Sequence, residues 1–241
     1  MELSGNGPGL VTFAVPEESR PFLRAWGRAT ASKPTRCGPS LWRFPDLDVL
    51  VTGMGSRNAQ RGIENFLQDQ HPRWVITAGF AGGLDPGCPH GTVGLSSDPD
   101  FIDSGVSKRL GLLPMTFHES LRVIPTPQAK AELRRRSGCQ AVDMESATIR
   151  RACHVRGIPS ATIRVISDDA GEALPLDFGA LMGPDDRMDW TRFALTLLGS
   201  PSLIPGLIRF QRRLSRCSED LAGGLVAIAR HLRTGPVPAG H

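Results

Sequence analysis

Residues Ala141–Ala170, with the sequence AVDMESATIRRACHVRGIPSATIRVISDDA, decide which fold this chain is expected to adopt. The spacing of apolar residues predicts a short strand, a helix over Ser146–Arg156 and a second strand over Ser160–Ile166. Glu145 closes the first strand, and Asp168 follows the second. Because the carboxyl ends of parallel strands line one crevice, we expect these two carboxylates to meet there and to support acid chemistry.

Alternating strand and helix patterns continue upstream of this stretch. A strand, a helix and a further strand at this spacing form a βαβ unit, which requires a parallel sheet. We therefore predict an α/β fold with a single doubly wound sheet, mixed or parallel. The predicted strands are Leu10–Val15, Asp48–Thr52, Trp74–Ala78 and Thr92–Ser96, and the predicted helices are Pro21–Ala31, Asn58–Gln68 and Gln128–Arg136.

The composition of the 241 residues, with 40% apolar and 22% charged residues, is typical of a globular protein with one substantial core. The sequence has neither a signal-peptide pattern nor an apolar run of about 18 residues, so we expect a cytoplasmic protein. The five cysteines are scattered, and the six histidines show no metal-ligand spacing. We therefore expect no disulfide framework, no metal and no organic cofactor.

A glycine-rich segment follows the strand that ends at Ala78. Gly79, Phe80, Ala81 and Gly82 are expected to form a loop whose backbone amides approach a ligand closely, with a plain tight turn as the alternative. Another pair of glycines also follows a strand, but Asn58 stands where a dinucleotide fingerprint needs its last glycine. An NAD site is therefore not predicted.

Three acidic residues stand at the exits of three predicted parallel strands: Glu18, Glu145 and Asp168. Taken singly, each is typical of a helix cap or a solvated turn. Their common position at one edge of the sheet instead indicates a shared site. The sequence has no G-x-S-x-G elbow, which argues against a hydrolase with a serine nucleophile.

Three segments carry a resemblance to a known family: VDMESA at Val142–Ala147, GIP at Gly157–Pro159 and RVISD at Arg164–Asp168. Together they look like the signature of the nucleoside phosphorylase and nucleosidase superfamily. The pattern is most similar to that of the methylthioadenosine/S-adenosylhomocysteine nucleosidases. Thr77–Leu84 and Ala14–Glu18 also lie where that family has its motifs. The resemblance implies a nucleoside phosphorylase-like sheet, a small nucleoside substrate and a homodimer.

The resemblance also implies a role for each site residue. Asp168 would protonate or hydrogen-bond N7 of a purine, and Ser167 would orient it. Glu145 would accept hydrogen bonds from the ribose hydroxyls, with Met144 packed against the sugar. Glu18 would hold and deprotonate the attacking water. These roles fit the cleavage of an N-glycosidic bond, in which positive charge develops on the sugar while electrons move to the base.

The expected reaction is hydrolysis of the N-glycosidic bond of a 5′-substituted adenine nucleoside. Phosphorylases of the superfamily carry phosphate-binding groups where this chain has Glu17 and Glu18, and carboxylates would repel phosphate. Arg20 and Arg57 keep a phosphate-dependent phosphorylase as an alternative. Segment 92–127 is shorter than in the family and the chain has no tyrosine to stack on a base, so a non-catalytic nucleoside-binding protein is a second alternative. No nucleic acid is expected as a partner, because the basic residues lack interleaved aromatic side chains.

The last 41 residues contain six arginines against two acidic residues. Apolar residues recur every three or four positions over Leu203–Leu232, which predicts an amphipathic helix that Gly223 and Gly224 interrupt. We expect a catalytic domain over 1–188, and a helical extension with a disordered end over 189–241. The tail is similar to that of a bacterial subgroup associated with hopanoid lipid synthesis, which implies a nucleoside carried on a hydrocarbon. The helix would either make a peripheral contact with an anionic membrane or pack on the domain or on a second subunit.

Overall fold

One sheet of ten strands organises the part of this computed structural model that is described, namely residues 7–28, 30–33, 39–176, 181, 183, 195–196 and 199–234. The strands are β1 (Gly9–Phe13), β2 (Ala31–Lys33), β3 (Ser40–Arg43), β4 (Leu47–Val51), β5 (Val75–Gly83), β6 (Val93–Ser97), β7 (Leu113–Pro114), β8 (Phe117–Glu119), β9 (Ala141–Asp143) and β10 (Ser160–Asp168). The helices with described bounds are α1 (Pro16–Trp26), α2 (Ser56–Asp69), α3 (Ser104–Arg109), α4 (Pro127–Ser137), α5 (Ser146–His154) and α6 (Ile204–Thr234), the last preceded by a 3₁₀ turn at Pro201–Leu203.

The centre of the sheet is parallel. The strand order is β2-β3-β4-β1-β5-β10-β6-β7, and β4, β1, β5 and β10 all run in one direction. Every residue of β1, β4 and β10 is buried, as expected for parallel strands that are covered on both faces. Helices α1 and α6 pack on one face, and α2 and α5 pack on the other. The predicted α/β fold with a doubly wound, mixed sheet is confirmed.

The glycine-rich segment belongs to strand β5 rather than to a loop, which corrects the prediction. β5 continues to Gly83 because it stays paired with β10, with Gly79 opposite Arg164. β10 likewise continues to Asp168, with a bulge before that residue. A Cβ atom at Gly79 would lie 2.4 Å from Arg164 Nη1, so glycine at this position leaves room for the buried guanidinium.

Strand β9 reaches the same region by a route that the sequence pattern did not predict. It is antiparallel to β5, with Val142 opposite Gly82, and it is parallel to β8. Glu145 therefore does not follow a member of the central parallel set. Because β9 runs back along β5, the chain carries Glu145 towards the Gly79 end of the glycine-rich segment.

Helix α1 begins at Pro16, whereas the sequence pattern predicted a start at Pro21. Proline suits the first position of a helix, because an N–H at that position has no partner within the helix and the ring already holds φ near its helical value. The earlier start places Glu18 in the first turn of α1, directly beyond β1.

Helix α6 is a single helix of 31 residues that passes through Gly223 and Gly224 without a break, which corrects the predicted interruption. Its second half packs on α1 and on the sheet as part of the main core. The core residues that it supplies are Cys217, Leu221, Ala222, Leu225, Ile228, Ala229 and Leu232. For this half of the helix, packing of the apolar stripe on the domain is confirmed.

The predicted domain boundary between residues 188 and 189 falls outside the described residues, as does the predicted disordered end beyond Thr234. Both remain predictions. Among the described helices, none combines the length and the apolar character that crossing a bilayer requires.

Candidate active site

Four buried charged side chains meet beside strand β10. Arg164 is 1% exposed, and its Nη2 atom lies 2.8 Å from Asp143 Oδ2 and 3.4 Å from Glu145 Oε2. Glu18, which lies on helix α1, also interacts electrostatically with the guanidinium of Arg164. Arg164 and Asp143 had no predicted role. A charged residue inside an otherwise apolar strand is the signal that could have identified Arg164, since such a residue is buried only with partners.

Glu145 is held in this cluster by two groups. The backbone N–H of Gly55, at the start of α2, donates a hydrogen bond of 2.8 Å to Oε1, and Arg164 faces Oε2. Burial raises the pKa of Glu145 to about 7, with the negative charges of Asp143 and Glu18 adding to the effect and Arg164 opposing it. The charge of Glu145 therefore changes near neutral pH.

Glu18 joins the end of β1 to the glycine-rich segment of β5. Its Oε2 atom accepts hydrogen bonds from the backbone N–H groups of Ala14 at 3.0 Å and Val15 at 3.1 Å, and its Oε1 atom accepts one from Phe80 at 2.8 Å. Burial raises the pKa of Glu18, while Arg164 and these amides act in the opposite direction. A buried carboxylate with a raised pKa is a stronger base than a solvated one.

Asp168 lies at the other end of the candidate site and has two close partners. Ser167 Oγ lies 2.6 Å from Asp168 Oδ1, and Lys130 Nζ lies 2.5 Å from Oδ2. Lys130 belongs to helix α4 and is 1% exposed, although the second half of that helix carries three consecutive arginines, Arg134–Arg136. Nothing in the spacing of this helix distinguished Lys130 from its other basic residues, so sequence reasoning missed it.

The glycine-rich segment contacts both ends of the candidate site. At one end, a Cβ atom at Gly79 would lie 2.7 Å from Glu18 Oε1; at the other, a Cβ atom at Gly82 would lie 3.4 Å from Asp168 Oδ2. The carbonyl oxygen of Ala81 lies 3.2 Å from Ser167 Oγ. Three residues of extended strand span about 10 Å. The two ends are therefore separated by roughly the length of a nucleoside.

The remaining predicted residues also lie in this region. Met144 is partly exposed between the buried Asp143 and Glu145, and Phe80 is partly exposed while its backbone binds Glu18. The structure thus brings the predicted residues to one edge of the sheet. Their individual roles towards a substrate remain predictions.

The two arginines that were considered as phosphate ligands lie in exposed positions. Arg20 Nη2 lies 3.6 Å from Glu17 Oε1 in a surface pair. Arg57, in the first turn of α2, is also exposed. The helix start beside Arg57, a favourable place for an anion, is already used by Glu145 through Gly55 N–H.

A separate cavity of about 530 Å³ lies beside the Asp168 end, lined on one side by His90 and on the other by helix α6. His90 Nδ1 lies 3.2 Å from Asp169, and Arg213 makes two hydrogen bonds of 2.8 and 2.7 Å to Glu172. Among the described residues, no group of three or more histidine, cysteine, aspartate or glutamate side chains is arranged to hold a metal ion.

Comparisons with known proteins place the chain in a family. The family model described as the Phosphorylase superfamily matches residues 111–184. The 5'-methylthioadenosine/S-adenosylhomocysteine nucleosidase of Glaesserella parasuis serovar 5 is 30% identical over 166 residues, which cover 55% of this chain and 72% of that protein. The futalosine hydrolase of Streptomyces coelicolor is 25% identical over 217 residues, which cover 75% of this chain and 87% of that protein.

A solved structure shows the same fold at lower identity. The 5'-methylthioadenosine/S-adenosylhomocysteine nucleosidase of Helicobacter pylori superposes with a TM-score of 0.68 over 94% of this chain and 99% of that chain, at 15% identity. The buried carboxylates, the parallel sheet and the related sequences lead to one conclusion: the chain belongs to the nucleoside phosphorylase and nucleosidase superfamily, and within it is similar to the methylthioadenosine/S-adenosylhomocysteine nucleosidases.

Proposed function

We propose that this enzyme hydrolyses the N-glycosidic bond of a 5′-substituted adenine nucleoside and releases the base. Its relatives are named as nucleosidases and as a hydrolase, which supports cleavage of a nucleoside N-glycosidic bond. The observation that carries the proposal is the pair of buried carboxylates Glu18 and Glu145 at one end of the glycine-rich segment, with Asp168 at the other.

The two ends of the site suit the two halves of the reaction. When the bond between C1′ and N9 breaks, its electron pair moves to the base and positive charge develops on the sugar. Asp168 gives a proton to N7 of the leaving base, while the negative charges of Glu18 and Glu145 stabilise the sugar cation. Glu18 takes a proton from the water that adds to C1′, and Glu145 accepts hydrogen bonds from the ribose hydroxyls.

Water rather than phosphate is the proposed nucleophile, because the donors at the sugar end are already used by carboxylates. Gly55, Phe80, Ala14 and Val15 all direct their N–H groups at Glu145 or Glu18. Arg164 is paired with Asp143 and Glu145. A phosphate dianion needs donors and positive charge that are not already committed, so a phosphate-dependent phosphorylase is the less favoured candidate.

The test is release of free base from 5′-methylthioadenosine, S-adenosylhomocysteine, futalosine and a lipid-tailed adenosyl compound, each with and without phosphate. We expect adenine and a free sugar from the adenine nucleosides, at the same rate in both conditions. A sugar 1-phosphate formed only with phosphate would instead identify a phosphorylase. Tight binding of the adenosyl compounds without any turnover would identify a non-catalytic binding protein.

We also propose that the protein is a homodimer. In addition, we propose that the first half of helix α6 contacts membranes. In that half, Ile204 and Ile208 are 42% and 48% exposed, and Arg209, Arg212 and Arg216 are exposed beside them. Exposed apolar side chains flanked by arginines favour a helix that lies on an anionic lipid surface. Such a location would suit a nucleoside carried on a hydrocarbon.

A further inference from the structure

Lys130, like Arg164, is a basic side chain next to the proposed site that is only 1% exposed, and all of its donors are used. Its Nζ atom lies 2.5 Å from Asp168 Oδ2, 2.6 Å from the carbonyl oxygen of Asp169 and 3.0 Å from that of Glu172. An ammonium group has three N–H donors and no acceptor, so these three acceptors match a protonated lysine.

The other acidic side chains near Asp168 have close partners of their own. Asp169 contacts His90, and Glu172 pairs with Arg213, whereas Lys130 is the basic side chain in direct contact with Asp168. Strand β5 contributes backbone to this end of the site through Gly82, and Ser167 supplies a hydroxyl to Asp168 Oδ1. The charged and titratable groups that surround Asp168 in the described residues are Lys130 from α4, His90 from the loop after β5, Asp169 and Glu172 from the segment after β10, Arg213 and Cys217 from α6, and the cluster around Arg164 of β10.

We propose that Lys130 is a positioning residue that holds Asp168 as a carboxylate in the site without substrate. Through this contact, Lys130 sets the upper end of the pH range in which the enzyme releases the base. This inference rests on the proposed function for its consequence in catalysis. Asp168 then takes a proton from solvent before each turnover, passes it to N7 as the bond between C1′ and N9 breaks, and returns to its ion pair with Lys130. The enzyme is consequently expected to lose activity as the pH rises, because fewer sites carry that proton.

A direct test follows the ionisation of Asp168 without substrate. The protein is labelled with ¹³C at the aspartate carboxyl carbon, and the Asp168 signal is identified by its loss in Asp168→Asn. We expect the wild-type signal to be that of a carboxylate at pH 7, because Lys130 Nζ lies 2.5 Å from Asp168 Oδ2. A chemical shift typical of a protonated carboxylic acid at pH 7 would overturn the proposal. Since no turnover is needed, this result stands even if the proposed reaction is wrong.

The variant Lys130→Met then removes the positive charge. We expect its Asp168 signal, and the falling limb of its pH profile for base release, to move to higher pH by about one unit or more, because an opposite charge within hydrogen-bonding distance stabilises the ionised form by at least this amount. Lys130→Arg keeps the charge and should leave the limb in place even if the rate drops. Arg136→Met, an exposed change on the same helix, is the matched control.

An unchanged limb in a folded Lys130→Met protein, or a shift of the same size in Lys130→Arg, would assign Lys130 a purely structural role. If Lys130→Met does not fold, the wild-type carboxyl titration and the Lys130→Arg profile still decide the question.

Discussion

At the scale of single residues, Glu145 shows how burial makes a carboxyl respond to neutral pH. Its pKa is raised from the ordinary 4.5 to about 7, chiefly by burial. Between those two values the folded protein binds a proton that the unfolded chain has already lost, so the stability contributed by this group falls as the pH rises. Glu18 and Asp143, whose pKa values burial also raises, act in the same direction.

The first prediction concerns Glu145→Gln, which cannot ionise. Relative to the wild type, this variant should gain stability as the pH rises from about 4.5 to about 7, by up to about 3 kcal/mol over the whole interval. Urea unfolding of both proteins at pH 5, 6, 7 and 8 measures the difference. A difference that stays constant with pH would show that Glu145 is ionised throughout this range.

The second prediction separates the acid from the base. Asp168→Asn should lose base release by roughly 10²–10⁴-fold, because the leaving base then departs without a proton. Glu18→Gln should lose a similar factor in hydrolysis but still bind the nucleoside. Rates come from base release and affinities from calorimetry, with the exposed Asp69→Asn at the end of α2 as the matched control. Near-normal turnover by either variant would remove that residue from its assigned role.

At the scale of elements, strand β5 is shaped by its glycines. The third prediction is that Gly79→Ala lowers stability by about 1–3 kcal/mol and abolishes activity, because the new methyl group would overlap Arg164 Nη1 and Glu18 Oε1. Gly223→Ala is the control, since a Cβ atom there meets nothing within 4 Å and the residue is helical. That change should raise stability by up to about 1 kcal/mol. Thermal and urea unfolding compare the two variants.

Helix α6 combines a core element with an exposed basic surface. Deleting the whole helix would remove core residues such as Leu221 and Leu225, so a truncated protein would not test membrane contact. Substitutions in its exposed first half avoid this problem.

The fourth prediction is that the full chain binds vesicles containing anionic phosphatidylglycerol at low salt and does not bind neutral vesicles. The triple change Arg209→Gln, Arg212→Gln and Arg216→Gln should weaken binding on the order of a hundredfold, at about 1 kcal/mol for each charge near the surface. Arg135→Gln with Arg136→Gln, both exposed on α4, is the control, which removes two positive charges away from α6. If the wild type and both variants co-sediment with the vesicles to the same extent, the arginines of α6 do not mediate membrane binding, and α6 has only its packing role.

At the scale of the whole molecule, the described surface carries a few large apolar side chains. Leu121 and Val155 are 79% and 77% exposed, and Leu113 is 41% exposed. Single exposed apolar residues are common on soluble proteins and do not by themselves identify an interface. The homodimer therefore stays a prediction that needs a measurement of mass.

The fifth prediction is a mass in solution of twice the 26.0 kDa of one chain. Light scattering after size-exclusion chromatography, at several protein concentrations, measures it directly. A mass of 26.0 kDa at every concentration would show that the chain acts as a monomer.

The amino-acid sequence was sufficient to predict the α/β class, the parallel centre of the sheet and a shared site for Glu18, Glu145 and Asp168. The class and the sheet follow from local information, because apolar runs predict buried strands. The strand-exit argument holds for Glu18 beyond β1, whereas Glu145 follows the antiparallel β9 and Asp168 lies within β10. The motifs around Glu145 and Asp168 also indicated the superfamily to which the chain belongs.

The groups that surround these carboxylates could be identified only from the folded structure. The antiparallel course of β9, the extension of β5 and β10 into the site, and the pairings of Arg164 and Lys130 all depend on contacts between residues far apart in the chain. In the sequence, Lys130 is one of several basic residues on a charged helix, and only the fold shows that it is buried against Asp168. Charge and protonation in a site are set by such neighbours and by exclusion of water, and neither is encoded in local spacing.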